Sequence, residues 1–166
     1  MAIFENIHTR DEAFYKEIYF HHYFKSKFYR VLDALMIISL FINLLGLLFE
    51  AEPIYTAYFC VAFIVLLRVV RYRRTVKVSM AREKEVSANG EILYTITVNE
   101  ETITHKSSLG SEFSIGFSSV KKAYQTKHYI VLQSEARQLY ILKKDGFVMG
   151  NSDDFVKFLK TKGYKI

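Results

Sequence analysis

The sequence predicts an α+β membrane protein: a two-helix transmembrane hairpin, then a small antiparallel β-barrel or bent sheet capped by a C-terminal helix. Three observations carry this expectation. Residues 31–49 and 54–70 are apolar runs parted by the short acidic turn Glu50-Ala51-Glu52-Pro53. Basic residues flank the pair on its outer sides, while only Glu50 and Glu52 lie between the runs. From Glu91 onward the apolar period changes from helical to two, as strands require.

Residues 1–30 are expected to form a cytoplasmic amphipathic helix. Thr9-x-x-Glu12 has the form of a capping box, and Asp11 also falls in the first turn. Phe14, Ile18, His21 or His22, and Lys25 follow at helical spacing, among the aromatics Tyr15, Tyr19, Phe20, Tyr23 and Phe24. His21-His22 is not read as a metal site. Adjacent helical residues point about 100° apart, and no acidic or sulfur partner is spaced to join them.

The hairpin occupies residues 31–70. Its first run has 15 apolar residues of 19, the exceptions being Asp33, Ser39, Asn43 and Gly46. A helix of that length reaches roughly 28 Å, close to the hydrocarbon thickness of about 30 Å. The 13 Leu, Ile, Phe and Val residues of the first run, and the 10 of the second, favour insertion by roughly 4–8 and 3–6 kcal/mol. A buried hairpin in a soluble core is the alternative. A soluble helix normally keeps a polar face, and residues 40–49 and 59–67 carry no charge on any face.

Lys25, Lys27 and Arg30 precede the hairpin, and Arg68, Arg71, Arg73, Arg74 and Lys77 end or follow it. Basic flanks stay on the cytoplasmic side, so both termini are expected to be cytoplasmic at the inner or plasma membrane. In an antiparallel pair, Asp33 lies level with Arg68 or Arg71, and an ion pair is expected there. Asn43 is expected to face protein, so Asp33, Asn43 and Arg68 are read as intramembrane structural residues rather than an ion path.

Residues 71–90 form a basic juxtamembrane linker with six basic and two acidic side chains. Its Arg71, Arg73, Arg74 and Lys77 are candidate contacts for anionic lipid, at about 1 kcal/mol each near a charged surface. A helix running to Asn89-Gly90 is expected, although Thr75–Met80 alternates and leaves a first strand open. The charge of this linker accounts for much of the net +6 without a nucleic-acid partner. Cys60 is the single cysteine, so no intrachain disulfide or cysteine-based zinc site is available. The first run is too long for the apolar region of a cleavable signal, and an uncleaved anchor is expected.

Residues 91–166 are expected to hold six strands: 91–98, 102–106, 112–117, 121–126, 128–134 and 138–143, ending at Lys144-Asp145-Gly146. A terminal helix follows, with Ser152 as its N-cap candidate and Phe155, Phe158 and Leu159 as its apolar stripe. That face is expected to cover an open side of the sheet.

The layout resembles the YcxB-like family of small bacterial membrane proteins over nearly the full chain. The resemblance is carried by Thr9-Arg10-Asp11-Glu12, the two apolar runs, Glu91–Ile96, Phe117-Ser118-Ser119-Val120, Tyr124–Leu132 and Leu139–Lys144. It implies a pleckstrin-homology-like barrel capped by the last helix, and no defined biochemical activity. Leu142-Lys143-Lys144 departs from the Pro-Lys-Arg common in such proteins, which puts the exit of the last predicted strand in doubt.

The sequence holds no Gly-rich phosphate loop, paired-histidine zinc helix or Gly-x-Ser-x-Gly elbow. His105 beside Ser107 and Ser108 lacks a placed acid. No catalytic residue, cofactor or metal is therefore expected. Lys121, Lys122, Lys127, His128, Lys143 and Lys144 fall at strand ends and turns. If they converge, they suit an anionic headgroup or acidic partner segment; otherwise they are a solvated lysine face. The expected function is a non-enzymatic membrane-anchored adaptor with a protein partner. The alternatives are an anionic-lipid sensor and a small subunit of a membrane complex or transporter, the latter requiring a homo-oligomer or a partner.

Overall fold

A computed structural model describes residues 2–48, 55–87 and 91–166. The expected turn at 50–53 and stop at 89–90 lie outside the described residues. The chain divides into two compact units: Met1–Asp11 with Glu83–Ile166, and Glu12–Arg82.

The first unit holds eight strands in two antiparallel sheets. One has the order β4 (Glu112–Gly116), β3 (Thr102–Ser107), β2 (Tyr94–Val98), β1 (Phe4–His8), β8 (Phe147–Met149). The other has the order β5 (Val120–Gln125), β6 (Tyr129–Ser134), β7 (Leu139–Lys143). A 3-10 turn, Phe117–Ser119, joins β4 to β5, and the helix α4 (Ser152–Thr161) ends the unit. The α+β class and antiparallel sheets are as expected. Ile96, Val98, Ile103, Ile130, Leu132, Tyr140 and Leu142 are all fully buried, joined by Phe155 and Leu159 of α4.

Three expectations are corrected here. Residues 4–8 are a strand rather than part of a helix, so residues 1–30 are not one helical segment. Phe4, Asn6 and His8 point inward and Glu5 and Ile7 outward, a period of two. β1 lies inside the sheet, pairing Phe4↔Val98 through His8↔Tyr94 on one side and Asn6↔Phe147 on the other. Second, a further strand, β8, follows Lys144-Asp145-Gly146 and joins the larger sheet beside β1. The chain turns tightly at Gly146, where an added Cβ would lie 2.6 Å from the Ile7 carbonyl oxygen. Third, Asn151 rather than Ser152 caps α4, its Oδ1 accepting the Asp154 N–H at 2.8 Å.

Asn6 ties the two sheets together. Fully buried, its side-chain amide donates to Lys143 O at 2.7 Å and accepts Lys143 N–H at 3.0 Å. It thereby imitates a backbone pairing between β1 and β7. Beyond β8, Phe4 packs against Phe155 and Phe158 at 5.1 and 5.5 Å.

The second unit contains α1 (Glu12–Lys25), α2 (Lys27–Leu48) and all but the last turn of α3 (Tyr55–Val86). α3 runs through residues 75–86 as helix, which closes the strand alternative there. Ser26 interrupts α1 and α2, and its carbonyl accepts Arg30 N–H at 3.0 Å. α1 lies along α3 through Tyr19–Ser79 (2.8 Å) and Tyr23–Thr75 (3.1 Å) hydroxyl pairs. Lys27–Gly46 is long and apolar enough to cross a membrane, and most of its large apolar side chains are exposed, with Asn43 its one buried residue. Among the described residues it is the single such helix. The second apolar run starts outside them and forms the first half of α3.

Candidate functional site

The basic side chains of the β unit divide into two groups. Thr126 shapes the β5–β6 turn, its hydroxyl accepting Tyr129 N–H at 3.2 Å. This turn exposes Lys127 and His128. Lys144 joins them from the end of β7: its N–H bonds His128 O at 2.9 Å and its Nζ bonds Thr126 O at 3.0 Å. Lys143 is beside them but its Nζ lies 3.4 Å from Asp145.

Lys121 and Lys122 lie at the opposite end of β5, next to a register irregularity, and Lys122 stacks on Tyr124 at 4.8 Å. Five residue steps along β5 and into its turn separate Lys122 from Lys127, at most about 17 Å. The six residues therefore form a cluster of Lys127, His128, Lys143 and Lys144, and a separate pair.

In the helical unit Arg68 is the organising residue. Only 7% exposed, it donates from Nε to Tyr23 O at 2.6 Å and from NH1 to Asp33 Oδ1 at 2.5 Å. Its guanidinium is also 4.5 Å from the Phe24 and Tyr29 ring centres. The Asp33–Arg68 pairing expected from the antiparallel register is present. Asn43 is buried and donates to Ser39 O at 3.3 Å. Arg71, Arg73, Arg74 and Lys77 are all exposed on α3.

A third cluster was not expected. Arg10, just past β1, lays its guanidinium 3.7 Å from the Tyr94 ring centre and reaches His105 Nε2 at 3.3 Å. Tyr94 donates its hydroxyl to Glu83 at 2.8 Å. His8 and His105 flank the Tyr94 ring at 6.0 and 5.5 Å, and His105 stacks on Phe113 at 4.6 Å.

Burial, with the Arg10 charge adding to it, lowers both His8 and His105 to about 4. Both imidazoles are thus neutral near pH 7. Burial and the Glu83 bond push Tyr94 up to about 12. These groups hold no nucleophile paired with a base, and the cluster serves to fasten both chain segments that enter the β unit. Its sequence signal was faint. The inward positions of β1 include polar Asn6 and His8, so hydropathy does not alternate.

Residues 98–159 match the family model described as YcxB-like protein. Through this region the chain is similar to the YcxB-like family. The YcxB-like stretch runs from the last residue of β2 to Leu159 in α4, so it includes the lysine cluster and His105. β1, Arg10 and the helical unit lie outside it. No curated protein and no solved structure matches the chain.

Proposed function

We propose that this protein is a non-enzymatic adaptor, anchored in the inner membrane by a two-helix hairpin at 31–49 and 54–70. Both termini are cytoplasmic, and the β unit is a pleckstrin-homology-like domain that meets a protein partner at the membrane surface. The carrying observation is the apolar stretch Lys27–Gly46, most of whose large apolar side chains are exposed. Side chains such as Ile37 and Ile42, 67% and 62% exposed, need a non-aqueous surrounding. The exposed Arg71, Arg73, Arg74 and Lys77 follow the second run and favour a cytoplasmic, anionic leaflet. Two antiparallel sheets closed by an apolar-faced C-terminal helix support the pleckstrin-homology-like reading.

The decisive experiment pairs alkaline carbonate extraction with protease treatment of intact spheroplasts. The adaptor reading expects the chain to stay in the pellet and the β unit to be protected. Release into the wash, or digestion from outside, overturns it.

The convergence of Lys127, His128 and Lys144 favours a second reading, an anionic-lipid sensor. Vesicle flotation with phosphatidylserine and without it tests this reading, using Lys127→Glu/Lys144→Glu as control. Equal binding to both vesicle types removes it. A transporter-subunit reading draws less support, because Asp33 is engaged by Arg68.

A further inference from the structure

Strand edges offer unpaired backbone groups, and folded proteins usually protect them with lysines, bulges, short length or a covering element. The edges of this β unit differ sharply in that respect. β5 carries Lys121, Lys122 and a register irregularity. β8 is only three residues long, and its pairing with β1 is irregular at Glu5/Asn6. The outer side of β7 is met by the Asn6 amide at Lys143. β4, Glu112–Gly116, is the terminal strand of its sheet and, among the described residues, has none of these devices.

The hydrogen-bond phase of β4 shows which groups are open. Ser107 N–H donates to Ser111 O, and Phe117 N–H to Glu101 O, both at 2.9 Å. These pairs continue the register Ile103↔Ile115 and His105↔Phe113. Antiparallel bonding alternates along a strand. The backbone groups of Phe113 and Ile115 therefore face β3, and those of Glu112, Ser114 and Gly116 face away from it. Phe113 is 40% exposed at this rim and Leu109 in the preceding turn is 54% exposed, giving an apolar contact beside the open backbone.

Charge selects the occupant. Glu112 stands at one end of β4, and Glu100 and Glu101 precede Thr102, which pairs with Gly116 at the other. Lys106 offsets one of these three carboxylates, 3.4 Å from Glu112. A second copy pairing antiparallel about Ser114 would bring each Glu112 toward the other copy's Glu101, a repulsive arrangement. A strand with Lys or Arg at its ends is complementary. We propose that the outer edge of β4 is a strand-addition site for an extended basic segment of a protein partner. It rests on the adaptor reading above, for which it names the contact surface.

The test uses the full chain in nanodiscs and a display library of random twelve-residue peptides as probe. Selected clones are expected to alternate β-branched residues with Lys or Arg. They should also slow amide exchange at Ser114 and Gly116. Ser114→Pro removes an outward N–H while leaving the β3–β4 bonds intact, and should weaken these clones about tenfold, as one backbone bond and its geometry allow. Ser114→Ala should bind like the parent. Glu101→Lys/Glu112→Lys should weaken the same clones and keeps the test open if the proline variant unfolds.

Failure to select any clone sensitive to these changes, enrichment of acidic clones, or self-association lost in Ser114→Pro would each overturn the proposal. Carbonate release combined with intact edge binding would sink the membrane reading alone.

Discussion

The two units treat their apolar side chains in opposite ways. In the β unit Ile96, Ile130, Leu132, Phe155 and Leu159 have no exposed surface. In the helical unit Val31, Ile37, Phe41 and Ile42 are each more than half exposed. The first unit encloses its large apolar side chains, whereas α2 of the second leaves most of its own exposed. Polar groups follow the same division. The β unit distributes its polar contacts over many strand pairings, while in the helical unit Arg68 gathers Tyr23, Asp33 and two aromatic rings beside the hydroxyl pairs of α1 and α3.

The largest effect should come from opening the β core. Phe155→Ala removes a fully buried ring that touches Phe4 and Phe147, and is expected to cost about 3–5 kcal/mol in denaturant unfolding of the β unit. A loss below about 1 kcal/mol would mean that α4 does not close this core.

Arg68→Leu should be nearly as damaging to the helical unit, because Asp33 loses its cation. A one-sided break of this kind costs about 3–5 kcal/mol when the remaining charge is buried; Asp33 is about one third exposed, so the lower end is expected. Adding Asp33→Leu should restore much of the loss, read by helical circular dichroism in detergent. If the double variant is no better than the single one, Arg68 acts through Tyr23 and the aromatic rings instead.

Acid should separate the units by a smaller margin. His8 and His105 sit at about 4 when folded against 6.5 in the open chain. Between those values the unfolded state binds more protons, so β-unit stability is full above about pH 6.5 and declines as pH falls through 4. The combined loss should be on the order of a few kcal/mol. His8→Asn/His105→Asn should flatten this slope, as measured by denaturant midpoints from pH 7 to 4. An unchanged slope would place the acid sensitivity elsewhere.

The smallest expected change is a gain. The Tyr140 hydroxyl is buried and has no hydrogen-bond partner among the described residues. Tyr140→Phe should stabilise the β unit by about 1 kcal/mol, seen as a higher melting temperature. A decrease would indicate an interaction of that hydroxyl that the fold alone does not supply.

Six strands and the last helix were legible in the sequence for identifiable reasons. Ile92-x-Tyr94-x-Ile96-x-Val98 alternates, polar turns punctuate each strand, and Phe155, Phe158 and Leu159 share one helical face. The Asp33–Arg68 pair was half legible: counting outward from residues 50–53 offered Arg68 or Arg71 as the partner of Asp33. β1 was hidden because two of its three inward side chains are polar, and those polar groups bond to the other sheet and to each other. β8 is too short to show a period. The basic cluster was only half legible, since sequence shows which lysines sit near turns but not which turns share an end of the sheet.

The placement of β1 governs the order of events during synthesis. β1 leaves the ribosome before its partners and must wait for β2, some ninety residues later, and for β8 near residue 147. Asn6 cannot find the Lys143 backbone before then. Closure of the β unit is therefore a late, long-range step that belongs to the finished chain. A bulky fusion placed against Phe4 would burden that last docking more than an equal fusion after Ile166.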